Sequence, residues 1–256
     1  MGKLVRMDLY RMRKARSFFV CLIIAFAIAL INAPLAKMLF SVANEVAPDL
    51  GETLDAQVKL SEVINDPFPM IFLLPLLLSL CFFFYADVEN GYIKNIAGQM
   101  PMKGFTILSK FLAAAVHNLI FAAAGLIGNL IGTVLVQRIV VDSDVPDGIR
   151  VLVLKFLLVQ SISAILLFVV STLRSKAVGM ILAVLFGLGL TSLIYFGINQ
   201  AMSAVLGQGS DISIYMPDTL LDTKPLDTIK ALAVSLVTGG VFLLAAVRIF
   251  DRRDVK

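Results

Sequence analysis

The chain has 256 residues, of which 59% are apolar and 16% charged, with a formal net charge of +4. Soluble domains carry about a quarter charged residues, so this balance excludes one or two ordinary soluble domains and points to lipid as the solvent. The positive charge does not mark a nucleic-acid surface, because the basic residues sit at the ends of apolar segments instead of on one soluble face.

Apolar stretches recur at a length of about 20 residues, roughly what a helix needs to cross ~30 Å of hydrocarbon. In that medium the backbone must satisfy its own hydrogen bonds, which leaves helices or a closed barrel. Continuous apolar runs without alternation exclude the barrel. The predicted fold is an all-α membrane protein, a single transmembrane domain over 1–256 with six transmembrane helices.

Taken in chain order, residues 1–16 hold Lys3, Arg6, Arg11, Arg13, Lys14 and Arg16 with Leu4, Val5, Leu9 and Met12 between them. This basic amphipathic pattern suits a helix lying on an anionic inner leaflet. The first span is predicted at about 17–40. Its basic start resembles a signal peptide, but the apolar stretch exceeds an h-region, which predicts an uncleaved anchor. An acidic loop follows, with Glu45, Asp49, Glu52, Asp55, Glu62 and Asp66; Leu50, Leu54, Val58 and Ile64 recur in it at near-helical spacing, predicting a partly helical stretch. The second span is predicted at about 67–86, and the polar segment DVENGYIKNIAGQMPMKG (Asp87 to Gly104) comes next. A third, at about 105–136, is longer than a crossing requires and is therefore tilted or extends out of the bilayer. Asp142, Asp144, Pro146, Asp147 and Gly148 mark a short loop. The fourth span (about 151–173) passes through a tight basic turn, Arg174-Ser175-Lys176, into the fifth (about 177–198). The long loop 199–227 contains Gly207, Gly209 and Pro217, and its apolar start AMSAVL predicts a re-entrant or interfacial helix. The sixth span (about 228–247) leads into RIFDRRDVK.

Charge sets the orientation. With both termini in the cytoplasm, 15 Lys and Arg fall on inner segments and span ends, whereas the outer side holds seven: Lys37, Lys59, Arg138, Arg150, Lys155, Lys224 and Lys230. Basic excess belongs inside, so the prediction is a multi-pass protein of the cell membrane with cytoplasmic termini.

Motifs for chemistry are scarce. The sequence contains no G-x-x-x-x-G-K-[ST], H-E-x-x-H, G-x-S-x-G or Cys/His cluster. Gly187-Leu188-Gly189 lies within a span with no preceding strand and reads as close helix packing. Cys21 and Cys81 lie in apolar segments without metal-ligand spacing and read as small core residues. A single histidine, His117, argues against a His-dependent triad or a multi-His metal site. An ionisable group inside a span is a functional candidate by default. Here a neutral imidazole bonded to a neighbouring helix outweighs a proton relay, since no acid within the spans could pass protons on. Lys110 can snorkel to the headgroups. Without carboxylates in the spans, coupling to protons or sodium is disfavoured and an energy source outside the chain is favoured. No catalytic residue, metal or cofactor of the chain's own is expected.

Small residues mark places for close helix approach: Gly125, Gly128 and Gly132 in the third span, Ser235 and Gly239 in the sixth. They serve packing within the subunit or across a dimer, with the former favoured for each. Between spans two and three, Asp87 and Glu89 precede a possible short helix, Gly91-Tyr92-Ile93-Lys94-Asn95-Ile96, which Pro101 ends. Acids at a helix N-terminus suit plain interfacial structure. Equally, Tyr92, Ile93 and Ile96 could fill a groove on a cytoplasmic partner.

The start VRMDLYRMRKARSFF, the inner DVENGYIKNI, the R-S-K turn, the long loop before span six and the terminal FDRRD together span the chain. In this order they resemble the permease subunits of ABC-2 type transporters, six-span proteins of bacterial exporters. The resemblance implies that residues 3–16 form a connecting helix and that Glu89, Gly91, Tyr92, Ile93, Lys94, Asn95 and Ile96 form the coupling helix seated on a separate ATPase subunit. It also implies that ATP and Mg are bound by that partner, that a second permease copy (identical or a sister) completes the transporter, and that 199–220 forms short extracellular helices. The chain departs from the polysaccharide-exporting branch in having no Trp, while its acidic first loop suits the peptide-export or antimicrobial-peptide-immunity branch. The expected function is export of a hydrophobic or amphipathic substrate. A membrane enzyme would need a convergent catalytic set that the short inner loops do not supply; the alternative is a non-transporting anchor, assembly or sensor subunit.

Overall fold

The structure, a computed structural model, describes residues 2–46, 57–69, 71–89, 104–206 and 211–252. The basic start is helix α1 (Gly2–Lys14), followed after Ala15 by α2 (Arg16–Val46). A short strand β1 (Gln57–Lys59) runs into α3 (Leu60–Asn65), and α4 covers Leu73–Glu89. The long α5 (Gly104–Val136) is followed by strand β2 (Arg138–Val140) and α6 (Val145–Leu173). Two shorter helices, α7 (Lys176–Gly187) and α8 (Thr191–Leu206), precede a 3₁₀ turn at Ser213–Tyr215, a short α9 (Pro217–Asp222) and the final α10 (Thr228–Arg252).

Among the described residues, four helices are long and apolar enough to cross a membrane: the Arg16–Leu39 part of α2, α5, α6 and α10. The α7–α8 pair makes a fifth if it counts as one bent span. The apolar part of α4, Leu73–Ala86, is shorter than these. The core lies where α4, α5 and α6 meet, around Leu76, Leu77, Leu80, Phe121, Leu158, Ile162 and Leu166. Large apolar side chains such as Ile23, Leu119, Leu135, Leu193 and Leu244 point outward, which is what helices facing hydrocarbon require and a water-facing surface does not tolerate on this scale.

Glycines let two of these helices touch. A Cβ on Gly132 would collide with the Leu30 carbonyl oxygen, and one on Gly128 with Ala29 Cβ and the Phe26 carbonyl, so α5 lies directly on α2. Gly125 plays the same part against the Pro67 carbonyl and the Phe72 ring. Ser235 and Gly239 serve the α10–α6 contact more loosely: a Cβ on Gly239 would meet Ser161 Cβ at an ordinary 3.5 Å. Because Gly132 faces backbone, which cannot swing aside, Gly132→Ala is expected to lower stability by about 2 kcal/mol or more. Gly240→Ala, where a Cβ meets nothing within 4 Å, should be neutral or slightly stabilising. Thermal unfolding of both variants in detergent compares them, and equal behaviour would refute the close-contact reading.

Two departures from the sequence reading have clear causes. The first loop is helical in part, as predicted, with Ile64 in α3 and with Leu50 and Leu54 outside the described residues, but Val58 lies in β1, which pairs in parallel with β2 in the register Gln57↔Arg138, Val58↔Ile139, Lys59↔Val140. Beside this pair the Asp142 carboxylate accepts from Ser61 N (3.1 Å) and Ser61 Oγ (2.6 Å), capping α3 from 81 residues away. The Ser61 hydroxyl bond is the main reason the Asp142 carboxyl lies below the usual carboxylate range.

The second departure is in the predicted fifth span, 177–198, which is not one rod. It breaks after Gly187, and the two halves meet at 83°. Gly189 stands at φ 66; its N–H reaches Phe186 O, and Leu190 N–H reaches Leu185 O at 2.9 Å. That 6→1 and 5→2 pair with a left-handed residue is the Schellman stop signal, and glycine takes the conformation without a Cβ penalty. Gly187 does what the sequence reading assigned to both glycines, since a Cβ there would strike the Leu74 backbone. The predicted second span also starts late: Phe68, Pro69, Ile71 and Phe72 lie outside any helix and α4 begins at Leu73. The basic turn is as read, with Arg174 in the left-handed region closing α6 (φ 50) and Ser175 Oγ accepting from Val178 N to open α7.

Candidate functional site

Polar groups gather at three levels of the bundle. At the end where the chain starts, α1 is fixed to α5 through a buried bond: Ser109 Oγ donates to Asp8 Oδ2 at 2.5 Å. Arg11 lies 4.0 Å from the same carboxylate. Charge-assisted bonds of this kind are roughly twice as strong as neutral ones when water is excluded. The last turn of α10 grips the same helix. Asp251 Oδ1 accepts from Gly104 N, the first residue of α5, placing a negative charge where the helix N-terminus is most positive. Gly104 is needed there, since a Cβ would run into the Asp251 carboxylate and Val247. The opening turns of α5 are thus held by both α1 and α10.

Of the predicted coupling residues, one lies among the described residues. Glu89 ends α4 and is exposed; Gly91, Tyr92, Ile93, Lys94, Asn95 and Ile96 lie outside the described residues.

In the middle, His117 is fully buried on α5. Its Nε2 bonds Ser79 Oγ of α4 at 3.0 Å, and its ring stacks on Phe121 with centroids 4.4 Å apart. Next to it Asn118 Nδ2 donates to Gln160 Oε1 and to Ser163 Oγ of α6, each at 2.9 Å. Gln160 Nε2 in turn donates to Phe111 O. Every partner is a neutral group, so the cluster ties three helices together in hydrocarbon, where unpaired polar groups are costly. No carboxylate takes part in these bonds.

At the opposite end, the break between α7 and α8 opens a cavity of about 500 Å³. Lys155 reaches it from α6 and pairs with Asp66 at 3.2 Å, with only 4% of the lysine side chain exposed and 31% of the aspartate. Across the cavity, Asp218 on α9 accepts from Thr191 Oγ1 and from Tyr195 OH (3.0 Å) on α8. One turn on, Asn199 Nδ2 donates to Asp211 Oδ1 at 2.6 Å, and Asn199 Oδ1 accepts from Ile212 N. The bond from Ser213 is the first cause of a lowered Asp211 carboxyl. Asp222 and Lys224 complete the polar lining, with Phe68 and Phe186 opposite. Burial pushes the Asp222 carboxyl above its ordinary range, with Lys155 pulling the other way. At the rim, Ile71 stands at φ 67, a left-handed conformation that a β-branched residue adopts only under constraint.

This outer cluster was not singled out in the sequence. Thr191, Tyr195 and Asn199 stand four residues apart, a polar stripe on an apolar helix that marks one face as needing partners. Their partners come from the loop that follows. No acid lies within the predicted spans, yet loop carboxylates fold back onto Lys155.

The helices and their outward apolar faces define an all-α membrane protein. No family model matches the chain, and no curated protein matches it either.

Proposed function

We propose that the chain is the membrane-spanning permease subunit of an ATP-driven exporter of the ABC-2 type. In this reading it moves a hydrophobic or amphipathic substrate (a peptide, drug or lipid-like molecule) out of the cell. ATP and Mg are bound and hydrolysed by a separate cytoplasmic subunit, and a second permease copy completes the pathway. Counting α4 as the second span and the bent α7–α8 pair as the fifth gives six. An even number places both termini on one side, and the basic excess makes that side cytoplasmic. A helix as short as α4 is accommodated by thinning of the bilayer around it at modest cost.

The observation that carries the reading is the double grip on the first turns of α5. A push on the segment between α4 and α5 meets a helix already tied to α1 by Asp8–Ser109 and to α10 by Asp251–Gly104. Such a push moves three helices as one body, which is what transmission from an ATPase at this point needs. The outer cavity under the α7–α8 break supports an extracellular gate at the other end. Co-expression with a candidate ATPase tests the proposal: a complex of equal stoichiometry should survive purification in mild detergent. A chain that purifies alone, and stimulates no ATPase on reconstitution, would leave the anchor or sensor reading in its place.

A further inference from the structure

We propose that the chain carries a specific site for the headgroup of an anionic phospholipid, set between α1, the end of α4 and the start of α7. The three elements enclose a cavity of about 550 Å³. Its polar wall has three cations, Arg11, Lys14 and Lys176, against one carboxylate, Glu89. Its apolar wall is made by Phe82, Phe83 and Ala86 of α4. The two walls have different chemistry, and a phosphodiester carrying acyl chains matches both. The phosphate meets the cations, and the chains continue along the apolar face of α4.

Lys176 is the most telling of the three cations. It opens α7, and a cation in the first turn of a helix opposes the helix dipole, so helix stability does not account for it. The same helix start favours an anion, and the lysine adds charge to it. Its ammonium lies over the Phe82 ring at 5.1 Å, and that of Lys14 over Tyr10 at 5.8 Å. Each ammonium thus rests against an aromatic ring of the cavity lining. Arg11 is already engaged with Asp8 at 4.0 Å, which leaves the two lysines as the groups to test.

Native mass spectrometry of the purified protein, titrated with phosphatidylglycerol or phosphatidylcholine, measures the site directly. Phosphatidylglycerol should bind in preference. Lys14→Gln/Lys176→Gln should weaken it on the order of 30-fold, the loss of two charged contacts to one bound phosphate. Lys3→Gln/Arg13→Gln removes the same charge from exposed positions of α1 outside the cavity and should change binding less than about threefold. Equal losses in the two variants would show a diffuse basic surface and overturn the site. Glycerol phosphate or inorganic phosphate competing as well as the lipid would reassign it to a soluble anion. Should the glutamine variant fail to fold, Lys14→Arg/Lys176→Arg keeps the charge and should retain the lipid. Equal retention of the two lipids by the wild-type protein overturns the proposal without any variant.

Discussion

Replacing Tyr92 and Ile93 together with Asp is expected to abolish substrate-stimulated ATP hydrolysis while leaving insertion of the chain into the membrane intact. The segment lies between α4 and α5, outside both apolar stretches, so two added carboxylates do not burden any span. At a docking groove they replace two apolar anchors with charges that must lose their water. Anchor residues at interfaces are worth about 2 kcal/mol or more each. Two lost anchors amount to about 4 kcal/mol, a roughly thousandfold weaker association. ATPase assays on the reconstituted complex measure coupling, and membrane fractionation of the variant checks insertion. Unchanged stimulation would remove the docking role from this segment and with it the point where a coupled permease takes up the push.

Lys155→Met is expected to have the largest effect on stability, a loss of about 3 kcal/mol in detergent unfolding. The change keeps most of the volume and removes the buried cation that faces Asp66 and lines the cavity with Asp218 and Asp222. Breaking one side of a buried pair costs about 3–5 kcal/mol. The lower end applies because the Asp66 side chain is 31% exposed and water screens part of the charge left behind. Lys155→Arg should retain most of the stability. Asp66→Asn/Lys155→Met should recover part of the loss, as coupled neighbours do. The sign with pH follows from Asp222, whose carboxyl is already raised by burial. A raised acid favours the folded state while protonated, so its contribution is present below the ordinary carboxylate pKa and lost as pH rises through the raised value. Removing Lys155 takes away a cation that holds that pKa down. The variant should therefore regain stability relative to wild type on mild acidification. A loss below about 0.5 kcal/mol, the range of ordinary surface changes, would show that Lys155 is not structurally required.

How much of this was readable from residues alone depends on distance along the chain. The apolar runs located α2, α5, α6 and α10 because hydrophobic length is a local property. The Arg174-Ser175-Lys176 turn was readable for the same reason. Asp8–Ser109, Asp66–Lys155 and Gly104–Asp251 join residues 101, 89 and 147 positions apart, and no spacing rule links them. The FDRRD tail drew notice as part of a resemblance, but that its first Asp caps α5 follows only from the packing of α10. Gly187 and Gly189 were read as one packing feature. They separate into a close contact with Leu74 and a left-handed stop because the backbone torsion of the second is invisible in the letters. The His117 reading needed less: with no acid in reach, a neutral partner on another helix was the remaining option, and Ser79 fills that place.

The two bonds that hold the opening turns of α5 also differ in when they can form. As the chain leaves the ribosome, Asp8 is already available when Ser109 emerges. Gly104 has no acceptor until Asp251 has been made, 147 residues later. Throughout synthesis of α6 to α9 the start of α5 therefore lacks its α10 partner. A nascent chain arrested in α9 therefore has both β1 and β2 available to pair but lacks the α10 half of the grip on α5.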